Sequence, residues 1–288
     1  MIDNNNNQQD DIHLIKAYNN YEFLNSPPAR IIRVMAEMIE PSTRLRKYNT
    51  WNTVVFFGSA RILPQKEAIK ELKEIKRSLQ EGSDDSEEAK LALKDAERDV
   101  TMSRYYEDAV KLSQKLTIWF KELEQKDKRF MVCTGGGPGI MEAANLGAKL
   151  ADGNSIGLNI SLPWEQYPNK YQTKDLAIEF HYFFIRKFWF FYLAKALVVF
   201  PGGFGTLDEF FELLTIIQTG KSKKYMPVVL YGSEYWNKVI NIEEMYNWGT
   251  ISKEDLDLYR IFDDVEETFE YLQQELTQHY VNNSGVNP

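Results

Sequence analysis

The chain is poor in the residues that staple, coordinate or span. One cysteine in 288 residues, Cys133, excludes an internal disulfide and fits a reducing compartment, so a cytoplasmic location is expected. Its place near the end of an apolar segment suits a buried, inert thiol. The three histidines, His13, His181 and His279, each lack a second His or Cys at metal-ligand spacing, so no metal site is expected. Glu275 precedes His279 by one helical turn, a spacing that equally suits a solvated helix face, and His181 lies in an apolar stretch that predicts a core position. No apolar run approaches the roughly twenty residues that cross a bilayer. The polar start, Met1 to Asp11, lacks the basic and apolar parts of a signal peptide and reads as a frayed tail. Basic residues are outnumbered 34 to 42, a net charge of −8, which argues against a nucleic-acid or membrane surface. There is no Gly-x-Ser-x-Gly elbow, no Gly-Lys-Ser/Thr of a P-loop, and no lysine marked as a Schiff base for pyridoxal chemistry. No cofactor is expected.

What is present suffices for a substantial core: 43% hydrophobic residues, 14% aromatic. The length suits one large α/β domain with additions, or two small domains. Residues 1–50 read as a polar tail and a helical extension interrupted at Pro27-Pro28. Within it Ile31, Ile32, Met35, Met38 and Ile39 share one helical face that caps the core or joins a neighbour. Residues 51–288 read as a single domain. It carries a helical insertion at about 65–127, rich in Lys, Glu and Asp, where Tyr105, Ala109, Leu112, Leu116, Trp119 and Leu123 form an apolar seam. That seam suits packing on a sheet, with a coiled-coil contact as the alternative. Strands are predicted at 53–57, 130–134, 155–160, 177–183, 196–200 and 227–232, with a short one at 260–262. Helices are predicted at 184–195, around 235–246 and at 265–278. Alternating helices and near-continuously apolar strands predict a Rossmann-like, doubly wound, mostly parallel sheet flanked by helices.

Two glycine-rich turns each lie between a predicted strand and a helix. Gly135-Gly136-Gly137-Pro138-Gly139 follows Phe130 to Thr134, and Pro201-Gly202-Gly203-Phe204-Gly205-Thr206 follows Ala196 to Phe200. Glycine lets backbone approach a ligand, and a helix start offers free N–H groups and a positive dipole end, so an anion such as phosphate is the natural occupant. The first turn misses the dinucleotide fingerprint, because Ile140 stands where the third glycine belongs. Glu209, one turn into the helix after the second, is a poor choice for phosphate binding alone. It makes sense as a catalytic carboxylate aimed at the sugar of a nucleotide. In such sheets ligands bind beyond the strands' carboxyl ends, where these turns and the one after Phe57 can converge.

Gly135 to Asn145, Arg186-Lys187 and Pro201 to Glu209 together resemble the Lonely Guy (LOG) family, nucleoside 5′-monophosphate phosphoribohydrolases often labelled lysine decarboxylases. The family's Pro-Gly-Gly-x-Gly-Thr-x-x-Glu signature is matched at every fixed place, and Arg186 stands 23 positions before Glu209 as in the family. The resemblance covers roughly residues 50 to 245. It departs at Phe183, where the family often has Met, and in its N-terminal extension and charged insertion. It implies Arg186 and Glu209 as the catalytic pair and Lys187 as an assistant, though a solvated lysine is the plain alternative. It also implies substrate contacts at Glu165 and Thr215, although a helix-interior threonine equally packs. Gly202, Gly203, Phe204, Gly205 and Thr206 are expected at the phosphate, with Thr206 also able to cap its helix. Gly136 and Gly137 are expected to face them, and Ser59 and Arg61 to help hold nucleotide.

The implied reaction is hydrolysis of the N-glycosidic bond of AMP or an N6-modified, cytokinin-type AMP. The alternative is a non-catalytic nucleotide or cofactor carrier, and a partner-binding protein built around the charged helix accounts for the insertion but not for the turns. A homo-oligomer, dimer or higher, is expected, because Phe183, Phe184, Phe188, Trp189, Phe190, Phe191 and Tyr192 crowd one helix.

Overall fold

A computed structural model describes residues 14–82, 86–124, 129–162 and 167–282. The polar start, His13 and Glu165 lie outside these residues. Among the described residues seven strands form one parallel sheet. The chain opens with a short helix α1 (Tyr21–Asn25) and then α2 (Arg30–Lys47), which precede β1 (Asn52–Phe57). Next come α3 (Gln65–Gly82), α4 (Glu87–Glu124), β2 (Phe130–Thr134), α5 (Ile140–Leu150), β3 (Ser155–Ile160) and β4 (Ala177–Phe180). Then α6 (Phe183–Leu193) leads straight into β5 (Ala194–Val199), followed by α7 (Phe204–Gln218) and β6 (Val228–Tyr231). The chain closes with α8 (Ser233–Val239), α9 (Ile242–Asn247), β7 (Arg260–Phe262) and α10 (Val265–Leu276).

The spatial order is β4-β3-β2-β1-β5-β6-β7. The chain winds outward from β1 through β4, then returns to the other side of β1 and winds outward through β7. The reversal falls between β1 and β5, where a doubly wound sheet opens a crevice at its carboxyl edge.

The strands are apolar throughout because both faces are covered. Alternate residues serve two cores: Val54, Phe56, Val132, Val198 and Phe200 pack beneath α4, α5 and α10. Val55, Phe57, Cys133, Leu197 and Val199 pack on the opposite face, beneath α6 and α7. The tilted contact of Phe200 with Tyr231, 4.6 Å between centroids, and the stacking of Phe56 on Phe200, 6.1 Å, fill the first core. Burying a side chain of this size contributes about 1.5–3 kcal/mol. The predicted seam on α4 is wholly buried, with Ala109, Leu112 and Leu116 at 0% exposure, so it is a sheet-packing face. The later part of α4 is therefore the crossover between β1 and β2, and α3 packs against its earlier part.

Several expectations are corrected. The strand predicted at 177–183 ends at Phe180, and the helix starts at Phe183 and stops at Leu193, so Lys195 belongs to β5. His181 is exposed in the bend between them instead of in the core, its N–H bonded to Glu37 at 2.8 Å. The predicted helix around 235–246 is two helices, broken at Ile240 and Asn241. On α2 only Met38 of the five-residue face meets the core, where Val34 joins it; Ile31, Ile32, Met35 and Ile39 are exposed. Glu37 of α2 also accepts from the Tyr182 backbone at 3.2 Å, and its carbonyl accepts from the Trp189 indole at 3.0 Å. The extension thus braces the start of α6.

Candidate active site

The three turns at the carboxyl edge are tied together by backbone hydrogen bonds. The Ser59 N–H donates to Pro201 O at 2.9 Å, and Ser59 O accepts from Ile140 N–H at 3.1 Å. Ser59, after β1, therefore joins the turn after β5 to the turn after β2. Its hydroxyl takes the Arg61 N–H at 3.1 Å. Around this junction opens a cleft of about 600 Å³, within the range of small-molecule sites. Ser59, Arg61, Gly137, Arg186, Gly203, Phe204, Gly205, Thr206 and Glu209 all line it.

The first glycine turn is shaped by its own neighbours. Gly139 has φ +67°, and a Cβ there would sit 2.2 Å from Ser59 O; Gly136 has φ +73°, and its Cβ would meet Asn159 Oδ1 at 2.0 Å. Only glycine fits either place. Below it lies a buried polar network. The Thr134 hydroxyl donates to Asn145 Oδ1 at 2.8 Å, and the Asn145 amide donates to Ser155 Oγ at 2.9 Å. The Asn169 amide donates to Gly137 O at 2.9 Å, and the Gln172 amide to Gly136 O at 2.8 Å. Gly136 consequently stands one layer behind the cleft wall, whereas Gly135, Met141 and Asn159 reach it. Cys133 is fully buried, and burial pushes its thiol well above its ordinary pKa, as suits an inert core residue.

The second turn starts α7 with Gly203 as its N-cap, and no protein atom comes within 4 Å of a Cβ placed at Gly203 or Gly205. Gly202 is held from behind, its carbonyl accepting from the Tyr235 hydroxyl at 2.8 Å, with Thr206 close against its Cα. The exposed N–H groups of the first turn of α7 therefore face open cleft, an arrangement that binds anions.

Glu209 points from the first turn and a half of α7 into the floor of the cleft and is 5% exposed. Arg186 Nη2 lies 4.0 Å from one of its carboxylate oxygens, and Lys187 Nζ lies 3.5 Å from the other. Burial raises the Glu209 pKa above its ordinary value, against the pull of Lys187 and Arg186. Burial likewise lowers that of Arg186, which Glu209 and Asp208 oppose. The guanidinium rests between the Phe183 and Phe190 rings, and its buried Nε has no hydrogen-bond partner. For Lys187, burial is the largest single influence and pulls its pKa down. Its bonds to Asp208 at 2.8 Å and Glu212 at 2.6 Å, with the field of Glu209, carry it above the ordinary value instead.

Not every expected residue lies in the cleft. Lys187 and Thr215 line a shallow groove beside it, between α6 and α7. The Thr215 hydroxyl donates to Phe211 O at 2.7 Å, the helix-packing alternative. Conversely Leu162, Tyr167 and Glu179 line the far end of the cleft. No spacing marks them in the sequence, because they come from the β3–β4 connection and the edge strand β4. Among the described residues no group of three His, Cys, Asp or Glu could hold a metal, and no helix is long and apolar enough to cross a membrane.

Comparison with known proteins gives two kinds of likeness. The solved structure of the molybdenum cofactor carrier protein from Chlamydomonas reinhardtii is 22% identical, covers 60% of this chain and 89% of its own, and has a TM-score of 0.41. The structure of TM1055 is 18% identical, covers 77% of this chain and 99% of its own, also with a TM-score of 0.41. No curated protein matches the chain. A family model described as "Possible lysine decarboxylase" matches residues 141–272, the stretch that holds Arg186, Lys187 and the whole Pro201 to Glu209 turn. That stretch is similar to the family so described, and its motifs resemble the Lonely Guy family.

Proposed function

We propose that the protein hydrolyses the N-glycosidic bond of a nucleoside 5′-monophosphate, AMP or an N6-modified AMP, to free base and ribose 5-phosphate. One observation carries this reading: a buried carboxylate, Glu209, lies one helical turn from an open anion-binding helix start, with Arg186 at 4.0 Å. The phosphate sits on the N–H groups around Gly203, Gly205 and Thr206, with Gly137, Ser59 and Arg61 on the facing wall. The ribose then lies over Glu209 and the base extends toward Phe183.

In the reaction water adds to C1′, the C1′–N bond breaks, and the proton lost by water is balanced by the one gained by the departing base. Positive charge develops on the ribose as the base leaves. Glu209 stabilises that charge and orients the water on the opposite face. Arg186 keeps Glu209 ionised against its burial and offers its remaining donors to the ligand. Lys187 holds the carboxylate's second oxygen and is a positioning residue.

The experiment is paired: turnover of AMP, and AMP affinity by calorimetry, for wild type, Glu209→Gln and Arg186→Ala. Glu209→Gln should lower turnover about 10²–10³-fold with affinity unchanged or improved, because the lost charge acts mainly in the transition state and repels phosphate in the ground state. Arg186→Ala should weaken both. Near-normal turnover in Glu209→Gln would remove the catalytic assignment, and tight binding without turnover in wild type would establish a carrier.

The proposed assembly is a homodimer across α6. Trp189 and Phe190 are buried, but Phe183, Phe184, Phe188 and Tyr192 are between 39% and 59% exposed on a helix that also carries Arg186. So many aromatics facing water call for a protein cover. Light scattering at micromolar concentration should give twice the chain mass or more; a monodisperse monomer contradicts the proposal.

A further inference from the structure

None of the residues that line the cleft comes from α2, yet one residue of α2 grips α6 on both sides of Arg186. His181 and Tyr182 form the bend before α6, and the N-cap residue Tyr182 makes no side-chain bond to the helix it starts. Glu37 supplies the acceptors from across the fold. One carboxylate oxygen takes the His181 N–H at 2.8 Å, and the other takes the Tyr182 N–H at 3.2 Å. A carboxylate at a helix start also meets the positive end of the helix dipole. Beyond Arg186, the buried Trp189 indole donates to the Glu37 carbonyl at 3.0 Å. The α2 helix is itself fixed. Val34 and Met38 pack on the core, Arg44 donates to Ala177 O at 3.1 Å, and Lys47 pairs with Asp175 at 2.8 Å.

This grip matters because Arg186 has little else to place it. Its buried Nε has no hydrogen-bond partner, and the Glu209 carboxylate is 4.0 Å away. The rings that flank its guanidinium, Phe183 at 5.6 Å and Phe190 at 5.5 Å, belong to the same helix. Contacts made within one helix travel with it and cannot set it over Glu209. Ile185 and Phe190 seat α6 on the sheet, but apolar packing is non-directional, whereas the bonds to Glu37 have a fixed direction. The Tyr182 carbonyl accepts the Arg186 N–H at 3.2 Å, so the residue that Glu37 holds in turn holds Arg186.

We propose that Glu37 is a positioning residue for Arg186, which makes the N-terminal extension a working part of the active site instead of an outer cap. The proposal rests on the reading of Arg186 as the group that serves Glu209 and the ligand. Glu37→Ala strips the His181 and Tyr182 N–H groups of their acceptor and frees α6 to slide or turn. A displacement on the order of 1 Å at a reacting site can cost about 10²-fold in rate. Glu37→Gln keeps one acceptor oxygen and with it part of the grip.

The test is a double-mutant cycle on the full chain, with Glu37→Ala, Arg186→Ala and both together, read as AMP affinity by calorimetry and as AMP turnover. Glu37→Ala should lower turnover about 10–10²-fold and weaken AMP binding, with Glu37→Gln between it and wild type. In the Arg186→Ala background, Glu37→Ala should change neither quantity further, because the group it positions is gone. A residue that only stabilises the fold would lower both backgrounds by the same factor, and that result overturns the proposal. A ligand-free measurement separates this failure from failure of the hydrolase reading. The Arg186 Nε–H resonance, identified by its loss in Arg186→Ala, should move in Glu37→Ala. Wild-type protein without AMP turnover removes the hydrolase, whereas an unmoved Arg186 resonance removes Glu37 as the residue that places Arg186.

Discussion

The two glycine turns look alike in the sequence and are alike in neither packing nor role. In the turn after β2 the protein itself demands glycine: Gly136 and Gly139 have positive φ, and any Cβ would strike Asn159 or the Ser59 backbone. In the turn after β5, Gly203 and Gly205 meet no protein atom within 4 Å, and Gly203 has φ −90°, open to other residues. The first turn is a structural joint, buttressed by Asn145, Asn169 and Gln172, that fixes where the wall stands. The second keeps its backbone bare toward the cleft, on the helix that carries Glu209. Glycine richness alone thus marks two turns; the space around each Cβ separates the one packed by protein from the one left open.

That contrast breaks most visibly by substitution. Gly139→Ala should destabilise the fold by about 1–3 kcal/mol, from left-handed backbone strain and overpacking against Ser59, measured by urea unfolding. Gly205→Ala should stabilise or leave stability unchanged, since alanine favours a helix interior over glycine by about 0.5–1 kcal/mol, while AMP affinity falls because a methyl group enters the anion site. Equal stability losses in both variants would erase the distinction between joint and cradle.

A smaller effect follows from Glu209. Burial raises its folded pKa, so its ionisation opposes folding: the stability associated with its protonated form is full below the ordinary carboxylate range and is lost as pH rises through the raised value. Glu209→Gln should therefore melt at a higher temperature than wild type at pH 7, and the gap should close as pH falls below the ordinary carboxylate range. A gap that widens toward acid would mean that the ion pairs with Arg186 and Lys187 outweigh burial.

Much of the fold was legible because the strands are short apolar runs bounded by glycine or polar turns, as at Thr53 to Phe57 and Phe130 to Thr134. Legibility failed where aromatic runs lack a period. Between Ala177 and Lys195 apolar and aromatic residues that suit a strand or a buried helix dominate, so the sequence does not mark that β4 ends at Phe180 or that Lys195 belongs to β5. The seam on α4 was readable because its partners lie on one face. The face of α2 was not, since Ile31, Ile32, Met35 and Ile39 obey helical spacing whether they meet the core or the outside. In the site, Arg186, Glu209 and the glycines stand in a contiguous motif or at a fixed spacing. The brace formed by Asn145, Asn169 and Gln172 and the lining residues Tyr167 and Glu179 join segments far apart in the chain. Only the folded backbone brings them together.

The central claim is that phosphate anchoring at the α7 start delivers the glycosidic bond to Glu209. Its most direct measurement is the release of free adenine, followed by chromatography, from AMP and from adenosine at equal concentration with the wild-type protein. The account predicts adenine and ribose 5-phosphate from AMP and barely any adenine from adenosine. Equal release from both would contradict phosphate anchoring, and release from neither, with AMP still bound, would contradict the hydrolase itself.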